Sequence, residues 1–488
     1  MADTTFLPPI NPLQPGVYSS VDASALQQQG DLSGLQIPAI VGTALGGQPN
    51  TPLFFRNQQA LKSVLRGGPA YDAARLALSQ LNGPPVCVVR VGNSISKASI
   101  TLTGDSGGDD SIVLTSKDWG AWANSIYVTV AADNKVTIDY TDDFGLTYTE
   151  VFDGGSGATA AALVDLINGK VIGKPGSRFV DAEVGEDGTM PLDVAARTAL
   201  TGGADGSSPA SGDWTNGFTA LETVEVDIVV PATGDATVHA QALTHCKDSS
   251  LPLARRERVC FAGGVAGESI STVVTARLSS SLRDPRFKLV YPGFVEVDAQ
   301  GNETLRDPFY LAALAAGQVC ALSDPAASLM HRPVPITDVE KRLARVQGGD
   351  LDTLLAAGIS PVEPAPRGGF RWVDDITTYN QDQFFRDGHV IRSLDYVSKR
   401  LRTALEEAFV GGKSLVGTAG DIAVVTNAEA DELVNEQVLR AHGPAQVTEA
   451  ADGSYYTIGL PVQAVGVNRF LFLNVVLQPP GSQIATTE

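Results

Sequence analysis

Residues 226–263 read VDIVVPATGDATVHAQALTHCKDSSLPLARRERVCFAG, and this stretch decides the fold class. Residues 226–230 are apolar but for Asp227, a length and composition that suit a buried strand. Residues 235–246 read as a helix, and 258–263 return to a short apolar strand. Strand, helix, strand is the unit of a mostly parallel sheet covered by helices.

The same rhythm extends in both directions. Downstream, 269–282 reads as a helix, 287–291 as a strand and 308–322 as an alanine-rich helix. Upstream, 37–45 and 85–91 are buried strands, with short helices at 57–65 and 71–80 between them. Residues 93–152 break the pattern. Alternating segments at 99–103, 112–115, 126–130, 135–140 and 146–152 are separated by turn residues at 104–110, 133–134 and 142–145, which predicts a small β domain set into the α/β unit. Helices follow at 158–168, capped by Gly169, and at 214–222.

The two ends differ from this middle. Pro8, Pro9, Pro12 and Pro15 exclude helix and leave 1–36 as an extended arm. Towards the other end, Val390, Leu394, Val397, Leu401, Leu405 and Ala408 recur at helical spacing within 387–410. A further helix is expected at 429–440, then strands at 455–465 and 469–477.

Composition excludes several functions. The chain has 488 residues with a formal charge of −20, which repels nucleic-acid phosphates and anionic lipid surfaces; neither is an expected partner. The longest apolar string, 470–477, is broken by Asn474 and is too short to span a bilayer. Residues 1–10 lack the basic and apolar parts of a signal peptide. Cys87, Cys246, Cys260 and Cys320 form no C-x-x-C pair and show no zinc-ligand spacing with histidine. They read as reduced core residues of a protein made in a cytoplasm, and no metal or cofactor is expected.

Candidate chemistry is thin. Ser269 opens a helix, with Asp227, His239 and His245 near in sequence, but the G-x-S-x-G elbow is absent and such a serine is ordinarily an N-cap. The string Leu200-Thr201-Gly202-Gly203-Ala204-Asp205-Gly206 lacks the Lys-Ser/Thr end of a phosphate loop and reads as a connection before the next helix. Asp133, Asp142 and Asp143 match no twelve-residue calcium loop. No catalytic residue is assigned.

Several stretches in order are more specific. They are Pro15-Gly16-Val17-Tyr18, the turn Trp119-Gly120-Ala121-Trp122-Ala123-Asn124, the Leu200 to Gly206 string, and a helix over 312–324 ahead of His331-Arg332-Pro333. A short helix over 350–359, Phe370-Arg371-Trp372 and the long helix over 387–408 complete the set. Together they resemble the contractile tail sheath proteins of phages and phage-derived injection machines, over nearly the whole chain. Ser19-Ser20 depart from that pattern, in which acidic residues commonly follow the first motif.

The resemblance implies a multidomain α/β and α+β architecture: an N-terminal arm (1–36), the first part of an α/β core (37–92), and an inserted, protruding β-rich domain with a helix (93–199). A subtilisin-like α/β domain without catalysis (200–365) and a C-terminal α+β domain ending in a strand arm (366–488) follow. The implied function is structural, not enzymatic. The subunit would polymerise helically around a tail tube in a virion tail assembled in the host cytoplasm, and contract to drive the tube through a target cell envelope for genome ejection. Baseplate and tail terminator proteins would be further partners. A subtilisin-like hydrolase, or a baseplate protein sharing these domains, are the alternatives.

Two sets of residues would serve that function. In the family, extended termini link subunits by strand addition, which assigns Pro15, Gly16, Val17 and Tyr18 to one arm and Phe470, Phe472 and Val476 to the other. Residues 469–477 are equally compatible with a strand inside their own subunit. Arg386, Arg392, Lys399, Arg400 and Arg402 cluster in an otherwise acidic chain, making Arg392, Lys399 and Arg402 candidate contacts to an acidic tube. The alternative is a solvated helix face paired locally, for instance Asp395 with Lys399.

Overall fold

The apolar runs at either end of residues 37–91 form neighbouring strands. In the computed structural model, which describes residues 36–469 apart from 82, 105–109, 143–144, 277, 279, 298–299, 323, 344, 380, 383, 413–416, 452–454 and the side chains of 276 and 280, they are β1 (Pro38–Gly42) and β3 (Val86–Arg90). Between them lie β2 (Pro52–Phe55), α1 (Gln58–Leu65) and α2 (Pro69–Leu78). The Asn57 side chain caps α1 by accepting the Ala60 N–H, and Pro69 starts α2 where no N–H is needed.

After β3 the chain leaves this sheet and builds β4 (Ser99–Thr103), β5 (Asp110–Ser116), β6 (Ile126–Ala131), β7 (Lys135–Thr141) and β8 (Thr147–Asp153). Helix α3 (Ala160–Ile167), capped by Thr159, precedes β9 (Val180–Val184) and β10 (Ala195–Ala199). Two antiparallel sheets result, β4-β5-β9 and β10-β6-β7-β8. Alternate residues such as Val128 and Val130 of β6, and Val136 and Ile138 of β7, enter a core of their own with Leu114 and Leu163. Strands β9 and β10 carry little apolar alternation and were not legible from pattern.

The chain then returns through α4 (Ser211–Thr219), β11 (Ile228–Pro231), α5 (Ala236–Ser249), β12 (Val259–Gly263), α6 (Ile270–Ala276) and β13 (Phe287–Tyr291). A small antiparallel sheet contains β14 (Phe294–Val297) and β15 (Glu303–Arg306), followed by α7 (Pro308–Cys320), β16 (Pro333–Val334), β17 (Asp338–Val339), α8 (Asp350–Ala357), β18 (Ile359–Pro364) and β19 (Phe370–Trp372). The large sheet has nine strands in the order β16-β19-β18-β13-β12-β11-β1-β3-β2. From β18 to β3 all neighbours are parallel, whereas β2 at one side and β19 and β16 at the other run antiparallel.

Alternate residues of these strands enter two cores. Ile40, Val88, Ile228 and Phe261 pack with Ala73 of α2 and Leu311 of α7, while Ala39, Cys87, Val229 and Cys260 pack with Phe218, Val238 and Leu354 of α4, α5 and α8. Covering both faces explains why the strands read as unbroken apolar runs. Helix α7 comes so close to α2 that a Cβ at Gly317 would lie 2.3 Å from the Ala77 carbonyl oxygen. All four cysteines are buried and unpaired.

By contacts the chain divides between Asp395 and Tyr396, inside helix α9 (Gly388–Phe409). The second unit continues with α10 (Thr418–Asn435), β20 (Leu439–His442), β21 (Gln446–Glu449), β22 (Tyr456–Gly459) and β23 (Val462–Ala464). Its core gathers Val397, Leu433, Val438 and Leu439. Here the sequence reading needs two corrections. The helix expected at 429–440 runs earlier, because Gly420 and the Val424-Val425-Thr426 run mask a helical start, and it stops where Gln437 adopts a positive φ of 64°. The single strand expected at 455–465 is two, parted at Pro461 and paired with different partners.

Candidate functional site

The three side chains that suggested hydrolysis are each engaged elsewhere. Asp227 Oδ2 accepts the Ile37 N–H at 2.9 Å, and His239 Nε2 lies 2.9 Å from the Thr233 carbonyl. Ser269 Oγ accepts the Thr272 N–H at 3.1 Å and lies 2.9 Å from Thr272 Oγ1, the geometry of an N-cap. Asp142 Oδ1 closes its own turn on the Leu146 N–H at 2.9 Å. Among the described residues no three His, Cys, Asp or Glu side chains are grouped to hold a metal.

A different arrangement joins the β unit to the large sheet. Arg90 ends β3 and is fully buried, a charged residue in an apolar run. Its Nη1 donates to the Gly47 carbonyl at 2.9 Å and its Nη2 to the Asp205 carbonyl at 3.1 Å, with the Asp205 carboxylate 3.7 Å away. That carboxylate in turn accepts the Ala121 N–H at 2.8 Å. Asn124 and Gly203 exchange two hydrogen bonds, 2.8 and 2.9 Å. The Trp119–Asn124 turn and the Leu200–Gly206 string, separate in sequence, are therefore one joint.

The glycines in it are dictated by space. Gly120 has φ 121° and a Cβ there would lie 2.3 Å from the Leu45 carbonyl oxygen, while a Cβ on Gly203 would lie 2.6 Å from the Gly120 oxygen. A second clasp stands beside the first. Arg66 stacks 3.8 Å from the Trp122 ring centroid and donates to the Tyr140 hydroxyl at 3.1 Å. Burial draws the Arg90 pKa down from its ordinary value, opposed by Asp205 and Asp118.

The second cluster surrounds Asp375, a fully buried carboxylate. Lys288 from β13 and Arg392 from α9 both reach it, Arg392 Nη2 at 3.3 Å, and its Oδ2 accepts the Leu329 N–H at 3.0 Å. Burial alone would raise the Asp375 pKa, but Lys288 and Arg392 outweigh it and hold the carboxyl below its usual range. Lys288 itself is drawn down by burial. This cluster was missed in the sequence reading, although a lysine inside the apolar strand Phe287–Tyr291 was the available signal.

The candidate tube contacts fall in different places. Arg392 is buried, bonded to Asp375 and to the Ala327 carbonyl at 2.9 Å, so it is not part of an exposed basic face. Asp395 is held by Arg286 at 2.7 and 2.9 Å. In the second unit Lys399 and Arg402 are half-buried and have partners in the fold. Their neighbour Arg400 binds three carboxylates of α10 and its C-cap, Glu429, Glu432 and Glu436, at 3.3, 2.8 and 2.8 Å. The arm residues Pro15, Gly16, Val17, Tyr18, Phe470, Phe472 and Val476 lie outside the described residues.

No family model matches the chain. A tail sheath protein of Bacillus phage SP01, however, is 22% identical to it across 89% of this chain and 90% of that one. Its relatives are phage tail sheath proteins. The tail sheath likeness extends to solved structures. The sheath tail protein Lin1278 of Listeria innocua superposes with a TM-score of 0.63 at 16% identity, over 91% of this chain and 95% of that one. The anti-feeding prophage helical sheath in its contracted state gives a TM-score of 0.55 at 13% identity, over 95% and 98%. These likenesses agree with the mixed α/β multidomain fold and give the hydrolase reading of Ser269 no support.

Proposed function

We propose that this chain is the repeating structural subunit of a contractile tail sheath. It assembles helically with copies of itself in the tail of a virion, around a tail tube, and contracts to drive that tube through the target cell envelope. The observation that carries this reading is the end-to-end similarity to a phage tail sheath protein, which leaves no large part of either chain unaccounted for. The engagement of Asp227, His239 and Ser269 in folding contacts supports a non-enzymatic role.

Within this reading the nine-stranded α/β layer has a subtilisin-like shape without its catalysis, and the β unit clasped at Arg90 is the protruding insertion. The two terminal arms tether neighbours by strand addition, each added strand gaining several hydrogen bonds of about 1 kcal/mol net. Lys399 and Arg402, without Arg392, face the tube. Baseplate and terminator proteins close the two ends of the cylinder, and assembly takes place in the host cytoplasm.

Negative-stain electron microscopy of the purified full chain, alone and with its tube protein, tests the proposal. Hollow striated cylinders are expected. A uniform monomer under both conditions would overturn it.

A further inference from the structure

Two motifs have no role in that account, His331-Arg332-Pro333 and Phe370-Arg371-Trp372. The fold brings them together. Pro333 pairs with Arg371 across the antiparallel β16–β19 ladder, the His331 N–H donates to the Trp372 carbonyl at 2.9 Å, and the Trp372 N–H donates to the Arg332 carbonyl at 3.0 Å. Strand β16 is the outermost strand of the large sheet on that side.

Two more arginines join this edge. Arg345 binds Glu363 through Nε and Nη2, both at 2.8 Å, and Arg371 Nε donates to the same carboxylate at 2.9 Å. Glu363 is only 3% exposed, so its charge is spent inward on these two guanidinium groups. Arg367 stands exposed on the turn between β18 and β19, and Arg332 is exposed with its Nε on the Ser328 carbonyl. Among the described residues neither Arg332 nor Arg367 has a carboxylate partner. His331 on the same edge also feels the buried Asp374. Four guanidinium groups thus gather at one sheet edge, two of them without a carboxylate partner among the described residues, in a chain whose overall charge is −20.

We infer that this arginine edge docks against an acidic face of a second copy of the chain. The partner follows from charge: a copy carries a formal charge of −20, and residues 93–204 alone contain 16 acidic against 7 basic side chains. Joining a basic edge on one copy to a different, acidic surface on the next is a head-to-tail contact, the kind that propagates an open helix. Charge pairs at such a rim guide encounter and orientation and weaken with salt, which suits subunits that must find their register before they lock. The inference rests on the self-assembly reading and names one of its contacts.

The experiment compares the wild-type full chain with an Arg332→Glu/Arg367→Glu variant and an Arg332→Lys/Arg367→Lys variant, each purified without tube protein. Sedimentation and electron microscopy give the concentration at which polymer appears. The glutamate pair should raise that threshold about tenfold, the lysine pair should leave it near wild type, and added salt should raise the wild-type threshold. Thermal melts of all three should differ little, since the two exposed side chains carry no ion pair in the subunit and give up at most the exposed hydrogen bond from Arg332 Nε to the Ser328 carbonyl. A glutamate pair that polymerises at the wild-type threshold overturns the inference while leaving self-assembly intact. So does a defect seen only when tube protein is added, which would make the tube the partner. A wild-type chain that polymerises neither alone nor with tube protein removes the self-assembly reading itself.

Discussion

Arg90 and Asp205 are 115 residues apart in sequence, yet the Arg90 guanidinium donates to the Asp205 carbonyl at 3.1 Å from a fully buried position. Through this bond the end of β3, where the chain leaves for the β unit, holds the string by which the chain returns, and the bond to Gly47 ties the same guanidinium to the connection between β1 and β2. Replacing Arg90 with Met keeps the volume but strands the Gly47 and Asp205 carbonyls. An unsatisfied buried acceptor costs about 1–3 kcal/mol. The variant is expected to lose about 3 kcal/mol in urea melts, and a loss below about 0.5 kcal/mol would show that the joint does not depend on the guanidinium.

Asp375 stands between two buried cations, so its loss and that of one cation are not equivalent. Asp375→Asn leaves Lys288 and Arg392 facing a neutral amide, which is expected to cost about 3–5 kcal/mol. Lys288→Met leaves Asp375 paired one-to-one with Arg392 and should cost distinctly less. Equal losses in denaturant melts of the two variants would contradict the arrangement. Because the folded Asp375 pKa is depressed, its contribution is present above the unfolded value of about 3.9 and is lost as pH falls below it.

Ser269 separates the structural reading from the hydrolase reading most cheaply. As an N-cap it is worth about 1 kcal/mol, so Ser269→Ala should lower stability by about that amount and leave polymerisation unchanged. A covalent serine-directed probe should leave the wild-type protein unlabelled at this position. Labelling at Ser269 by mass spectrometry would restore catalysis as a possibility.

How much of this was legible beforehand follows from where the signals are local. The strands β1, β3, β11, β12 and β13 are apolar on both faces, so composition marked them, and the stripe from Val390 to Leu405 marked α9 to within a residue or so at either end. The joint at Arg90 was not legible as a joint. Its two glycine-bearing motifs were visible, but their pairing depends on the path of the β unit between them, which no spacing rule gives. Arg392 failed as a surface residue for a related reason: helical periodicity places it beside Lys399, but which part of α9 is covered is decided by Asp375 and Ala327, 17 and 65 residues away and outside the helix. The helix α10 was misplaced because burial of Ile422, Thr426, Ala430 and Leu433 outweighs the poor intrinsic propensity of its first half.

His245 supplies an acid-sensitive contribution whose sign is set by geometry. Arg258 Nη1 lies 3.0 Å from His245 Nε2, and a guanidinium can only donate, so this ring nitrogen must accept and the imidazole must be neutral. Burial and the Arg258 charge together push the His245 pKa down to about 3, against about 6.5 in an unfolded chain. Between those values the unfolded chain binds a proton that the folded chain excludes, so stability falls as pH drops below about 6.5, by about 2 kcal/mol at about pH 5. A His245→Gln variant can still accept from Arg258 through its amide oxygen but has nothing to titrate. Its stability should therefore be flatter than wild type between about pH 5 and about pH 6.5 in urea melts, the remaining slope coming from groups common to both, His331 and His442 among them. Parallel wild-type and variant profiles across that window would mean that the folded protein does protonate His245, and that the Arg258 contact gives way in acid.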